Sequence, residues 1–342
     1  MDLVQVAPFV TDETLLTFRS RIVRDLVWAI TLPSIVVPVW PPAPIDPGAG
    51  SAEGEPIVPT ENPSPTVPMV PVMTDSRFWI EPEWFRRGWY RMESYLRTLD
   101  AEDAPLREYM APYRRLRQGL QFERLLAFWF DKDPEIGLLE TDRQVFSGDR
   151  TVGQIDFLLE TGGERLQLEV AVKYYLRRQG RTRLDGYVGT DMKDRLDLKL
   201  AHMLFHQRHV RVPGYSHTGV RSALSLRGRI FEPLVSDRRR SVTDRPGLPV
   251  LPRSWWIARR DLRARAGSPL DPFHRYRWTL GDRDLWFSPV AADEAQWYEW
   301  SDIESIVETN GLPGVSPATM VIGRDSESPG GGETTRGFIV HI

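Results

Sequence analysis

Two carboxylates and a lysine stand out by residue type and spacing. In VGQIDFLL (152–159), a run of strand composition, Asp156 shares a side with Val152, Gln154 and Leu158, because side chains in a strand alternate with period two. In RLQLEVAVKYYL (165–176), Glu169, Ala171 and Lys173 share one side, and Leu168, Val170, Val172 and Tyr174 the other. The intervening TGGE (161–164) suits a hairpin, and that loop sets Asp156 directly opposite Glu169. Like charges facing each other across adjacent strands destabilise a sheet. A divalent cation would compensate, since Mg²⁺ takes one or two protein carboxylates and keeps several waters. Such an ion activates water and neutralises charge on a phosphodiester, and an ammonium such as Lys173 would orient the water or stabilise the transition state. The plainer reading pairs both carboxylates with nearby arginines and Lys173 with Glu169.

A third carboxylate joins them from a helix. The segment PYRRLRQGLQFERLLAFWFD (112–131) has an apolar face through Leu116, Leu120, Leu126, Ala127 and Phe130, and Glu123 falls on it. Burying an unpaired carboxylate costs on the order of several kcal/mol, so Glu123 needs either an arginine partner or a cation in a site.

The remaining elements frame these residues. Residues 12–31 read as an amphipathic helix with Thr11 or Asp12 as N-cap and Pro33 as terminator. Residues 38–72 hold 11 of the 28 prolines and read as a disordered or polyproline-like insertion. Its GAGSAEG has no strand before it or helix after it, so it is no phosphate loop. A Trp-rich helix at 76–99 resumes the pattern, so the insertion interrupts one helical region. Residues 144–147 make a first strand candidate, and 190–209 a helix with a basic stripe of Arg195, Lys199, His202 and His206. Strand-like runs follow at 223–232, 254–259, 275–280 and 284–289, with a closing pair at 319–323 and 337–342. The Gly- and Ser-rich loop between the last two reads as mobile.

Composition narrows the function classes. The chain has 342 residues and no cysteine, which excludes disulfides, thiolate metal sites and cysteine nucleophiles. No apolar run approaches the roughly 20 residues of a membrane span, and no signal peptide is visible, so a cytoplasmic protein without membrane attachment is expected. Net charge is only −3, but 173–265 carries 22 Lys and Arg against 8 Asp and Glu. A basic middle on an acidic chain is the footprint of a polyanion partner, although a solvated surface gives the same count. Three of the four lysines are Lys173, Lys193 and Lys199, in a chain that otherwise uses arginine. His202, His206 and His209 do not make a zinc protease motif, because Met203 stands where the glutamate belongs. There is neither a G-x-S-x-G nor a G-x-x-x-x-G-K-[ST] sequence.

The segments LQFERLLAFWF, GQIDFLL, LEVAVKYYL, DRLDLKLAHMLFHQ and RGFIV resemble a family of bacterial proteins catalogued as a domain of unknown function, number 1853. The pattern IDFLL (Asp156) followed by EVAVK (Glu169, Lys173) is similar to the PD-(D/E)XK nuclease superfamily. This resemblance implies an α/β fold with a restriction-endonuclease-like core at 112–290, a mixed sheet flanked by helices. An N-terminal helical part (1–111) would precede it, and a C-terminal extension with a closing strand pair (291–342) would follow. It also implies Mg²⁺ or Mn²⁺ bound by Asp156, Glu169 and the Val170 carbonyl, with Glu123 supporting metal or water and Lys173 assisting attack. Lys193, Arg195, Lys199, Arg177, Arg178 and Arg181 would steer DNA or RNA. The chain departs from the superfamily at Ala171, where the usual Glu-x-Lys spacing has its lysine. Lys173 reaches back, or Lys193 or Lys199 replaces it, or the site is a degenerate nucleic-acid-binding module. A protein–protein adaptor using the Trp-rich helices is a further alternative.

Overall fold

Two glycines set the register at the centre of the molecule. Gly162 (φ +61) and Gly163 (φ +80) occupy the left-handed region that a two-residue hairpin turn requires. They join β2 (Arg150–Thr161) to β3 (Glu164–Arg177) and pair Thr161 with Glu164 and Phe157 with Leu168. The computed structural model describes residues 9–32, 34–35, 78–114, 116–147, 149–181, 183–205, 219–234, 250–263, 271–310, 317–327 and 331–342. The Pro-rich segment expected at 38–72, and His206 and His209, lie outside them.

Among the described residues the fold is mixed α/β, with one large mixed sheet flanked by helices. The other strands are β1 (Ile136–Ser147), β4 (Tyr187–Val188), β5 (Val220–Pro233), β6 (Ser254–Ala258), β7 (Tyr276–Leu280), β8 (Ala318–Asp325) and β9 (Thr335–Val340). The order is β1-β2-β3-β5-β6-β9-β8-β7, with β4 pairing on β3. β1, β2 and β3 are antiparallel; β3, β5, β6 and β9 run parallel; β8 and β7 return antiparallel. The helices are α1 (Asp12–Leu16), α2 (Arg21–Thr31), α3 (Pro82–Ala101), α4 (Ala104–Met110), α5 (Gln118–Lys132), α6 (Leu196–Phe205), α7 (Arg259–Arg263) and α8 (Trp300–Asn310).

The sheet is covered on both faces. On β3, Leu168, Val170, Val172 and Tyr174 join the cluster built by α2, α3 and α5, whereas Ala171 and Tyr175 face Leu196, Leu200, Met203 and Leu204 of α6. On β9, Phe338 and Val340 join the first cluster and Ile339 packs with Trp300, Ile303 and Val307 of α8. The first cluster thus draws residues from Val10 to Val340. Eleven tryptophans fall among the described residues; each is buried or half-buried, and Tyr90 is the exposed aromatic on the Trp-rich helix.

The flanks of the Pro-rich segment meet on one strand. The Ile35 amide donates to the Leu226 carbonyl (2.8 Å) and the Ile80 amide to that of Leu224 (3.0 Å), both on β5. Arg227 fixes the same place from beneath. Fully buried, it donates to the Ile30 and Leu32 carbonyls at the end of α2 and lies 3.5 Å from the centre of the Phe85 ring.

Several expected elements differ. The helix expected at 12–31 breaks between Leu16 and Arg21, because the Arg19 and Ser20 amides donate to the Asp100 carboxylate of α3 (3.0 and 2.7 Å). Residues 284–289 are not a strand. Their backbone is satisfied by side chains instead: Ser288 N–H by Asp25, the Ser288 carbonyl by Arg21 and Arg336, and the Trp286 carbonyl by Arg336. The first strand is far longer than 144–147, and α6 begins at Leu196 rather than 190. Leu116 precedes α5 and is exposed. Within the loop expected to be mobile, Glu333, Thr335 and Arg336 are buried.

Candidate functional site

The β2–β3 ladder ends at Phe157 and Leu168, one pair short of Asp156 and Glu169. Beyond this point β2 stays with β1 as far as Arg150 opposite Ser147, while β3 continues alongside β5. The strands therefore fork, and the two carboxylates stand at the vertex, in the register that the hairpin predicts. Asp156 replaces the missing ladder bond, its Oδ2 accepting from the Val170 amide at 2.9 Å. The N–H and C=O of one strand residue point to the same side, so the Val170 carbonyl also faces the fork.

The pair is buried and poorly compensated. Asp156 is 7% exposed and Glu169 1%. Neither Glu169 oxygen is within hydrogen-bonding geometry of a donor, although the Gln167 side chain is near enough to ease its charge. Burial pushes both carboxyls above the ordinary range. Asp156 drives Glu169 up further, while the Val170 amide and Lys199 pull Asp156 back. Glu123, on α5, is pushed up to about 7 by burial and by Asp156, against Arg124 and Lys199. Glu123 makes no ion pair among the described residues; Arg124 instead pairs with Asp142 of β1.

Lys199 is the ammonium at this vertex. It lies on the face of α6 turned to the sheet, and burial lowers its pKa, as does Lys173, against Asp156, Asp194 and Glu169. Lys173 points elsewhere: its Nζ sits 2.5 Å from Asp194 Oδ2. The structure thus brings together Asp156, Glu169, Glu123, Lys199 and the Val170 carbonyl, with the Lys173–Asp194 pair adjoining. Of the residues expected to steer a polyanion, Arg177 pairs with Glu232 and Arg195 with Asp197. Arg178, Arg181 and Lys193 are exposed and form no ion pair among the described residues. Lys193 and Arg195 stand on the turn before α6, so the expected basic stripe does not run along one helix.

Sequence reasoning gave Lys199 a backbone-steering role and, as one alternative, that of the replacement lysine; it missed Asp194. The available signal was the placement of Asp194 between clustered lysines in TDMKD, which is ambiguous without the fold. Among the described residues no three His, Asp or Glu side chains converge closely enough to hold a metal alone. A cation here would use two carboxylates, a carbonyl and water, a donor set that suits a hard ion. The orphaned Glu169 oxygens fit that demand. No helix among the described residues is long and apolar enough to cross a membrane.

The chain belongs to the family described as Domain of unknown function (DUF1853), whose model matches residues 24–340. No curated protein and no solved structure matches it.

Proposed function

We propose that the fork is the active site of a metal-dependent phosphodiesterase acting on nucleic acid, on a restriction-endonuclease-like core. The observation that carries this reading is the orphaned Glu169 carboxylate, buried beside Asp156 with neither oxygen hydrogen-bonded. Burial and Asp156 raise the Glu169 pKa to about 9, so without a cation the carboxyl keeps its proton, and a divalent cation would take that proton's place. The antiparallel β1-β2-β3 unit, followed by α6 and the parallel β5, supports the fold assignment.

Asp156, Glu169 and the Val170 carbonyl would hold Mg²⁺ or Mn²⁺. When bound, the ion supplies charge neutralisation at the phosphodiester and a more acidic water. Glu123, with its pKa about 7, is matched to accept a proton from the attacking water near neutral pH. Lys199 faces the charge that develops on the phosphate. Arg178, Arg181 and Lys193 would hold the backbone of the substrate beyond the fork. Ala171 favours a second reading, in which the same fork binds nucleic acid without cutting it.

Labelled single- and double-stranded DNA and RNA, incubated with Mn²⁺, Mg²⁺ or EDTA, separate the two. Cleavage that needs metal and disappears in Asp156→Ala is the expected result. Equal cleavage by wild type and variant would mean a contaminant. Absence of cleavage, with binding that weakens steeply between about 50 and 200 mM salt, would move the assignment to the binding module.

A further inference from the structure

Lys173 is the lysine that the sequence places nearest the usual catalytic position, yet its ammonium is engaged by Asp194 at 2.5 Å. Asp194 closes a turn of tightly specified shape. The Gly189 amide donates to the Asp194 carbonyl (2.8 Å), and the Met192 amide to that of Gly189 (2.9 Å). Asp191 Oδ1 accepts from the Lys193 and Asp194 amides at 2.9 and 3.2 Å. Met192 sits in the left-handed region at φ +61, and a Cβ on Gly189 would come 3.0 Å from the Asp194 Cβ. The turn leads into α6, which carries Lys199. The Lys173 end is equally fixed: opposite it on β5, Gly228 has φ +138, and any Cβ there would fall 1.6 Å from the Lys173 carbonyl oxygen.

We propose that Lys173 is a positioning residue: its ion pair with Asp194 pins the 189–194 turn to β3 and thereby holds Lys199 against the Asp156–Glu169 pair. The catalytic consequence rests on the phosphodiesterase reading; the mechanical one does not. A pair this exposed, 33% and 35% at the two side chains, adds little to global stability, so breaking it leaves the fold in place. Displacing a catalytic group by about 1 Å, in contrast, costs on the order of 10²-fold in rate. The same logic accounts for Ala171: with the ammonium delivered from α6, β3 needs no lysine two residues after Glu169.

The test is a mutant cycle in Mn²⁺. Lys173→Met and Asp194→Asn should each lower kcat by about 10–100-fold with KM within about twofold, and Lys173→Arg, which keeps the pair, should regain most of it. In a Lys199→Met background, Lys173→Met should cost no more than about a further twofold, because both act through one group. Full additivity, or an Asp194→Asn variant with undiminished kcat, would overturn the proposal. Should the wild type cut no substrate, the phosphodiesterase reading fails by itself and hydrogen exchange decides the positioning claim. Lys173→Met and Asp194→Asn should then speed amide exchange across 189–200 by about tenfold or more while β5 and β9 stay protected. Unchanged exchange in that segment would overturn the claim.

Discussion

Glu169 and Glu333 are the same residue type at nearly the same burial, 1% and 2% exposed, and their surroundings are opposite. Glu333 is clasped. Arg336 donates to its Oε1 through Nε and to Oε2 through Nη2, both at 2.6 Å, and the Val290 amide adds a third bond at 3.1 Å. Arg336 also donates to the Trp286 and Ser288 carbonyls (2.6 and 3.0 Å). Burial would raise the Glu333 pKa, but Arg336, Arg253 and Arg229 together bring it below the ordinary value. Glu169 has burial and the Asp156 carboxylate pushing the same way, eased weakly by the Asp156 amide and the Gln167 side chain, and neither of its oxygens is in hydrogen-bonding geometry with a donor. A buried carboxylate whose oxygens are all satisfied ties backbone segments together. One left unsatisfied stores a demand for positive charge, and that difference separates the structural carboxylate from the candidate site.

The largest effect should come from opening the clasp. Arg336→Met leaves Glu333 buried and unpaired, which should cost about 3–5 kcal/mol in denaturant unfolding. Glu169→Gln, at equal burial, should do the reverse in EDTA: burial and Asp156 already raise the Glu169 pKa to about 9, so a neutral amide replaces a neutral carboxyl and should be neutral or stabilising. If Glu169→Gln destabilised the protein as Arg336→Met does, the comparison would break.

Divalent cations should tell the two carboxylates apart next. A ligand of the folded state alone stabilises by about 2.7 kcal/mol at a hundredfold excess over its Kd. Mg²⁺ or Mn²⁺ should therefore raise the unfolding midpoint of the wild type. Asp156→Asn and Glu169→Gln should show little or no rise, while a clasp variant that still folds keeps it. Equal metal protection in wild type and Glu169→Gln would remove Glu169 from the site.

The comparison also shows why part of the site was legible in sequence and part was not. TGGE fixes the hairpin because only glycine takes both positive φ values readily, and with it comes the opposition of Asp156 and Glu169. Glu123 on an apolar stripe is a local anomaly, visible to helical periodicity alone. The clasp was not visible: Glu333 and Arg336 lie in a Gly-rich loop pattern, and of their partners Trp286 and Ser288 fall in the run 284–289 that reads as a strand, with Val290 just beyond it. The break before α2 depends on Asp100, about 80 residues away in the chain. That Lys199 stands beside Asp156 and Glu169 while Lys173 pairs with Asp194 depends on where a turn sends a helix, which neither alternation nor charge counting encodes.

The smallest effect is a pH slope, and it tests whether the vertex is one electrostatic unit. Glu123 has an ordinary value of 4.5 and is held at about 7 in the fold. Below pH 4.5 it is protonated in both folded and unfolded chains and carries no penalty. Between 4.5 and 7 the unfolded chain ionises first, so folding stability falls as pH rises; above 7 both are ionised and the loss is constant. Glu333, with its pKa lowered, works in the other direction: its stabilisation is present above its unfolded value and is lost as pH falls through the folded one. Glu123→Gln should therefore flatten the decline between pH 4.5 and 7 in EDTA and leave the acid limb untouched. Since Asp156 is, after burial, the main cause of the raised value, Asp156→Asn should shift the wild-type decline toward lower pH. If unfolding midpoints measured across that range move with neither variant, Glu123 and Asp156 are not electrostatically joined, and α5 contributes no carboxylate to the fork.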